Sequence, residues 1–106
     1  MKIAFASPLP PSTSGISDYA AGLVPLLAAR GLDLTLFYEG TEPPPDPLRA
    51  GFACRPAREL RRAASRFDLV LYQLGNSAPH HATIYSTLLE VPGVVVLHEY
   101  QLHHLV

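Results

Sequence analysis

Three short stretches of this chain carry residues able to do chemistry, and each follows or precedes an apolar run. His98-Glu99 comes directly after Val94-Val95-Val96-Leu97, with His103-His104 a few residues on. A histidine at the end of a buried strand, followed by an acid, can orient a substrate or carry a proton. Gln73-Leu74-Gly75-Asn76-Ser77 follows Leu69-Val70-Leu71-Tyr72. Its amides and hydroxyl can hydrogen-bond the hydroxyls of a sugar or another acceptor, although Gly-Asn-Ser is equally good turn material. Ser12-Thr13-Ser14-Gly15 closes a loop rich in proline and serine, just before a helical pattern. The unpaired N–H groups and partial positive charge of a helix start suit a phosphate, and a glycine lets backbone approach a ligand closely. The same residues also serve as an ordinary N-cap.

Other chemistries fit less well. Neither G-x-G-x-x-G nor G-x-x-x-x-G-K-[ST] occurs, so the dinucleotide and P-loop fingerprints are missing. A zinc-protease H-E-x-x-H motif needs its histidines four apart. His98 and His103 are five apart, about 140° apart around a helix. His80-His81 adds no recognisable ligand spacing, so no metal is expected. Cys54 is the single cysteine. It reads as a small core residue and excludes an internal disulfide, which fits a reducing compartment. Arg55, Arg58, Arg61, Arg62 and Arg66 form a basic stripe. Such a stripe is either a solvated helix face or a contact with anionic lipid headgroups.

The elements that must position these residues follow from the apolar periodicity. Lys2 to Ala6 reads as a first buried strand, stopped by Pro8. Ser7 to Gly15 is a loop, and Ile16 to Arg30 a helix with Ile16, Tyr19, Ala20, Leu23 and Leu27 inward. Ser14 is the expected N-cap, Gly31 the left-handed stop, and Pro25 the site of a kink. Leu32 to Tyr38 is a second strand, Gly40 to Pro47 a surface loop, and Phe52 to Arg55 a short third strand. Pro56 is placed to open a helix whose inner face is Leu60, Ala63, Ala64 and Phe67. Leu69 to Tyr72 is a strand. His81 to Glu90 is a helix with Ile84, Leu88 and Tyr85 inward, ended by Pro92-Gly93. Val94 to Leu97 is the most apolar strand, and Tyr100 to Val106 begins another helix.

Apolar strands alternating with helices predict an α/β fold, a doubly wound, Rossmann-like parallel sheet covered on both faces. In such sheets ligands bind at the carboxyl ends of the strands, where all three chemical stretches lie. Composition agrees: 106 residues, 48% apolar and 16% charged, suit one globular domain. The net charge of -1 gives no reason to expect nucleic acid. There is no signal-peptide pattern and no apolar run of the ~20 residues a membrane helix needs. The cytoplasm is the expected location, with peripheral contact at the inner membrane face as a further reading. The apolar end at Leu105-Val106, inside a helical pattern, gives the expectation that 1–106 is a single truncated domain.

These segments carry a family likeness. Ser7-Pro8-Leu9-Pro10-Pro11 with Ser14-Gly15-Ile16-Ser17-Asp18-Tyr19 resembles the opening of bacterial family-4 retaining glycosyltransferases. Asp68-Leu69-Val70-Leu71-Tyr72-Gln73-Leu74-Gly75-Asn76 is similar to a later segment of that group, and Val94 to Glu99 with Leu102-His103-His104-Leu105 to a third. The resemblance implies a GT-B fold of two Rossmann-like domains facing a cleft, this chain being the incomplete amino-terminal, acceptor-side half. It implies transfer of a sugar from a nucleotide-diphosphate donor to a sugar or lipid-linked acceptor by front-face attack, with no metal or other cofactor. It implies that Ser14 and Gly15 approach the donor diphosphate and that His98 contacts the transferred sugar. Gln73, Asn76, His81 and Glu99 would face the acceptor. Glu99 stands where the family more often has aspartate; either His80 or His81 matches its histidine, and the residues that follow favour His81. The missing partner would be a carboxy-terminal donor domain, without which the chain should bind donor weakly and not turn over.

Two other readings of the residues stay open. In an NAD-type oxidoreductase, Glu39, just after the second strand, would hold the ribose. In a non-catalytic binding module, the loops would recognise a ligand without transforming it.

Overall fold

The computed structural model describes residues 1–10, 15–40, 42–75, 82–88 and 90–98. Five strands form where the apolar runs predict them: β1 (Lys2–Ser7), β2 (Asp33–Tyr38), β3 (Ala53–Pro56), β4 (Leu69–Gly75) and β5 (Val94–His98). The helices are α1 (Gly15–Ala29), α2 (Leu48–Gly51), α3 (Leu60–Ala63) and α4 (Ala82–Leu88). Single 3-10 turns, Ala57–Glu59 and Ala64–Arg66, flank α3.

The strands make one sheet in the order β3-β2-β1-β4-β5, and every neighbouring pair is parallel. Ile3 sits beside Leu34 on one side and Leu69 on the other, and Ala6 beside Phe37 and Tyr72. Alternation splits each strand between two cores. Ile3, Phe5, Leu34 and Leu36 pack with Ala20 and Val24 of α1 and Leu48 of α2. Ala4, Ala6, Phe37, Val70 and Tyr72 pack with Leu60 and Ala63 of α3 and Ile84 of α4. The helices leading to β2 and β3 therefore cover one face, and those leading to β4 and β5 the other. Right-handed crossovers impose this on a chain that builds outward from β1 in both directions. The fold is α/β and Rossmann-like. Fully burying a side chain such as Phe5, Leu36 or Phe37 contributes about 1.5–3 kcal/mol.

Several expectations shift in detail. Tyr19 is half exposed rather than inward, because the buried line of α1 runs through Ile16, Ala20 and Val24, four residues apart. The helix runs through Pro25, which lies on its exposed side. Gly31 does stop it, with φ +89° and its N–H on the Ala28 carbonyl at 3.0 Å. Pro56 is the last residue of β3, paired with Tyr38, so the turn starts at Ala57 instead. Its ψ of 143° is extended, which hands the chain from strand to helix. The short α2 lies between the loop and the third strand that the sequence predicts, and Leu48 anchors it by burial in the α1-side core. β4 runs three residues further than expected, to Gly75, because β5 pairs along it as far as His98. Val94 and Val95 are 47% and 37% exposed, since β5 has only β4 beside it among the described strands. No described helix is long and apolar enough to cross a membrane.

Candidate functional site at the carboxyl edge of the sheet

The chain leaves β1 toward β2 and returns to the other side of β1 as β4. In such sheets a reversal of strand order sets the usual ligand position, a crevice outside the carboxyl ends of the two strands. β1 ends at Ser7, β4 at Gly75 and β5 at His98, and Gly75 and His98 are register partners. A helix between parallel strands runs back against them, so α1 starts at this edge with Gly15 as its first residue. The helix packs on β1, β2 and β4, and the positive end of its dipole lies at this edge.

Buried polar residues gather here. Ser7 and Gln73 are fully buried, as is Ser17 in the first turn of α1. Ser7 and Gln73 directly follow the Ala6–Tyr72 pair, which makes them neighbours on adjacent strands. The Ser7 hydroxyl donates to the Pro8 carbonyl at 2.7 Å. That bond offsets the cost of burying the Ser7 hydroxyl. The sequence predicts Gln73 in a loop. It lies inside β4 with its side chain enclosed, because the strand continues past Tyr72.

Glu39, just beyond β2, has a structural task. Its Oε1 accepts hydrogen bonds from the backbone N–H groups of Thr83 and Ile84 at 2.9 and 3.1 Å. The carboxylate that an NAD-type site would turn toward ribose is bound to the first turn of α4. One residue further back, Tyr38 is buried in the α1-side core. Sequence reading had no signal for this cap, nor for the burial of Ser7 and Ser17 beyond their place next to apolar runs.

Ser14, Asn76, His81 and Glu99 lie outside the described residues, as do His80, His103, His104 and the expected helix from Tyr100 to Val106. Gly15 and His98 are described in their backbone alone, at the start of α1 and the end of β5, and the side chain of Tyr85 is not described. Two perturbed groups lie away from the edge. Burial pushes the Tyr72 hydroxyl up to about 12, and that hydroxyl donates to the Val91 carbonyl at 2.5 Å. Burial also raises the Cys54 thiol, partly offset by Arg49. Neither is placed as a nucleophile. Among the described residues no three of His, Cys, Asp and Glu gather as a metal site.

Fold and edge together define an α/β domain of Rossmann-like topology with a candidate ligand site at its strand-order reversal. No family model matches the chain, and no curated protein or solved structure matches it significantly.

Proposed function

We propose that this chain is the acceptor-side half of a nucleotide-sugar-dependent glycosyltransferase of GT-B type. The observation that carries the reading is the shared carboxyl edge, with Gly15 opening α1 and His98 closing β5 beside Gly75. In this reading the N–H groups of Ser14 and Gly15 steady the donor diphosphate as charge builds on it. His98 hydrogen-bonds the sugar being transferred. Gln73, Asn76, His81 and Glu99 form the acceptor side, with Gln73 acting from within the sheet. A donor domain would close the crevice, and the transfer itself needs no metal or other cofactor. The buried polar pair Ser7 and Gln73, side by side at this edge, supports a polar ligand over an apolar one.

The test is sugar transfer by a polypeptide that joins this chain to a donor-binding domain. His98→Ala should lower turnover about a hundredfold or more while circular dichroism stays unchanged. Normal turnover by that variant would sink the catalytic role of His98. The oxidoreductase reading loses its motive at Glu39, and NADH binding by the chain would restore it.

A further inference from the structure

We propose a second binding site, for a phosphate monoester group, at the opposite edge of the sheet. Lys2, Asp33 and Ala53 stand at the amino ends of β1, β2 and β3. With Thr35, Arg55, Arg66 and Phe67 they line a cavity of about 280 Å³. A second cavity of about 260 Å³ is lined by Arg55, Arg62, Ala63 and Arg66. The two share Arg55 and Arg66 and so form one groove on the α3 side of the sheet. The groove exists because α3 and its flanking turns are short and leave the amino halves of β2 and β3 uncovered.

The charges around it are unbalanced. Lys2, Arg55, Arg62 and Arg66 face the groove, against Asp33 in the lining, Glu59 on Arg55 and Asp68 on the Lys2 backbone N–H. Arg55 is held ready: its guanidinium is 2.8 Å from Glu59 and stacks 5.9 Å above the ring of Phe37. Arg62 and Arg66 form no ion pair among the described residues, while their neighbour Arg61 is bonded to Glu90. Both line the same hollow, Arg62 from α3 and Arg66 from the 3-10 turn that follows it. Two guanidinium forks, Arg62 and Arg66, beside the Glu59-bound Arg55 in one hollow match a group with nearly two negative charges and three terminal oxygens. A carboxylate offers less charge and fewer acceptors. A nucleic-acid backbone would need a longer track than this hollow and a basic protein, and the net charge is -1. The site is independent of the carboxyl-edge reading, since no residue belongs to both.

The probes are inorganic phosphate, followed through the arginine Nε–H resonances, and sedimentation with vesicles of phosphatidylcholine with or without phosphatidic acid. Phosphate should shift Arg62 and Arg66 saturably, and Arg62→Gln and Arg66→Gln should each weaken binding about tenfold. Both side chains are exposed and, among the described residues, without ion pairs, so these variants should fold. Unchanged thermal unfolding verifies this. Response to phosphate without sedimentation identifies a soluble phosphate ester as the ligand. Sedimentation that needs phosphatidic acid and is lost in both variants identifies a lipid headgroup. No response to either probe, or equal binding by the variants, overturns the proposal.

Discussion

The Glu39 carboxylate closes the first turn of α4, accepting the N–H of Ile84 at 3.1 Å from 45 positions earlier in the chain. The same oxygen also takes the N–H of Thr83 at 2.9 Å. α4 has only seven residues, too few to be stable alone. Its start is therefore fixed by a residue at the end of β2, which ties the two halves of the sheet together. Glu39→Ala should lower the unfolding free energy by about 1–2 kcal/mol in urea. Hydrogen exchange of the Thr83 and Ile84 amides should rise with it. Glu39→Gln keeps one acceptor oxygen and should lose less. Equal stability in all three proteins would mean that the cap contributes nothing.

Gly93 is needed for a different reason. A Cβ there would lie 2.4 Å from the Val70 carbonyl oxygen and 2.9 Å from the Tyr72 ring. The first of these is backbone inside β4, which cannot swing aside. Gly93→Ala should cost about 1–3 kcal/mol and loosen the pairing of β5 with β4. Thermal unfolding measures the loss. An unshifted midpoint would show that the turn before β5 can move.

Tyr72 gives a pH signature. In the folded chain its hydroxyl is pushed from 10.0 up to about 12 by burial. Below about pH 10 both folded and unfolded chains keep the proton, and the stabilisation is whole. Between about 10 and 12 only the unfolded chain ionises at this residue, so stability declines as pH rises. Tyr72→Phe removes the bond to Val91 and should cost about 1 kcal/mol at neutral pH. The variant should also show a shallower alkaline decline. Parallel curves for the two proteins would contradict the assignment to Tyr72.

What sequence reasoning reached, and what it missed, divides along the range of the interactions. Ile3 to Ala6, Leu34 to Tyr38 and Leu69 to Tyr72 announce themselves as strands because burial on both faces needs continuous apolar runs. The stop at Gly31 is local backbone chemistry and was equally legible. The phase of α1 was not. Tyr19 and Val24 both fit a helical stripe around Ile16 and Ala20, and only the sheet beneath decides which turns inward. The length of β4 was hidden because Gln73 looks like loop material until β5 is laid beside it. Leu48 gave no periodic signal, being one buried residue in a proline-rich stretch. The edge that gathers Gly15, Gln73 and His98 was legible, because any parallel sheet brings its carboxyl ends together. Glu39 was not, since no pattern within β2 points to α4.

Cys54 supplies a last prediction, on reactivity. The thiol is half-buried with Sγ 3.4 Å from the Phe52 carbonyl oxygen, and burial raises it above 9.0 despite the pull of Arg49. The thiolate, the attacking species, is then scarcer at pH 8 than in an unfolded chain. Iodoacetamide should therefore alkylate the native protein more slowly than the urea-unfolded one at the same pH. Arg49→Ala removes the opposing charge and should slow the native reaction further. Because the folded value is raised, the associated stability is whole at low pH and declines as pH climbs through the alkaline range. Native labelling as fast as unfolded labelling would mean that the strand end at β3 opens readily, and that Cys54 is accessible where the fold encloses it.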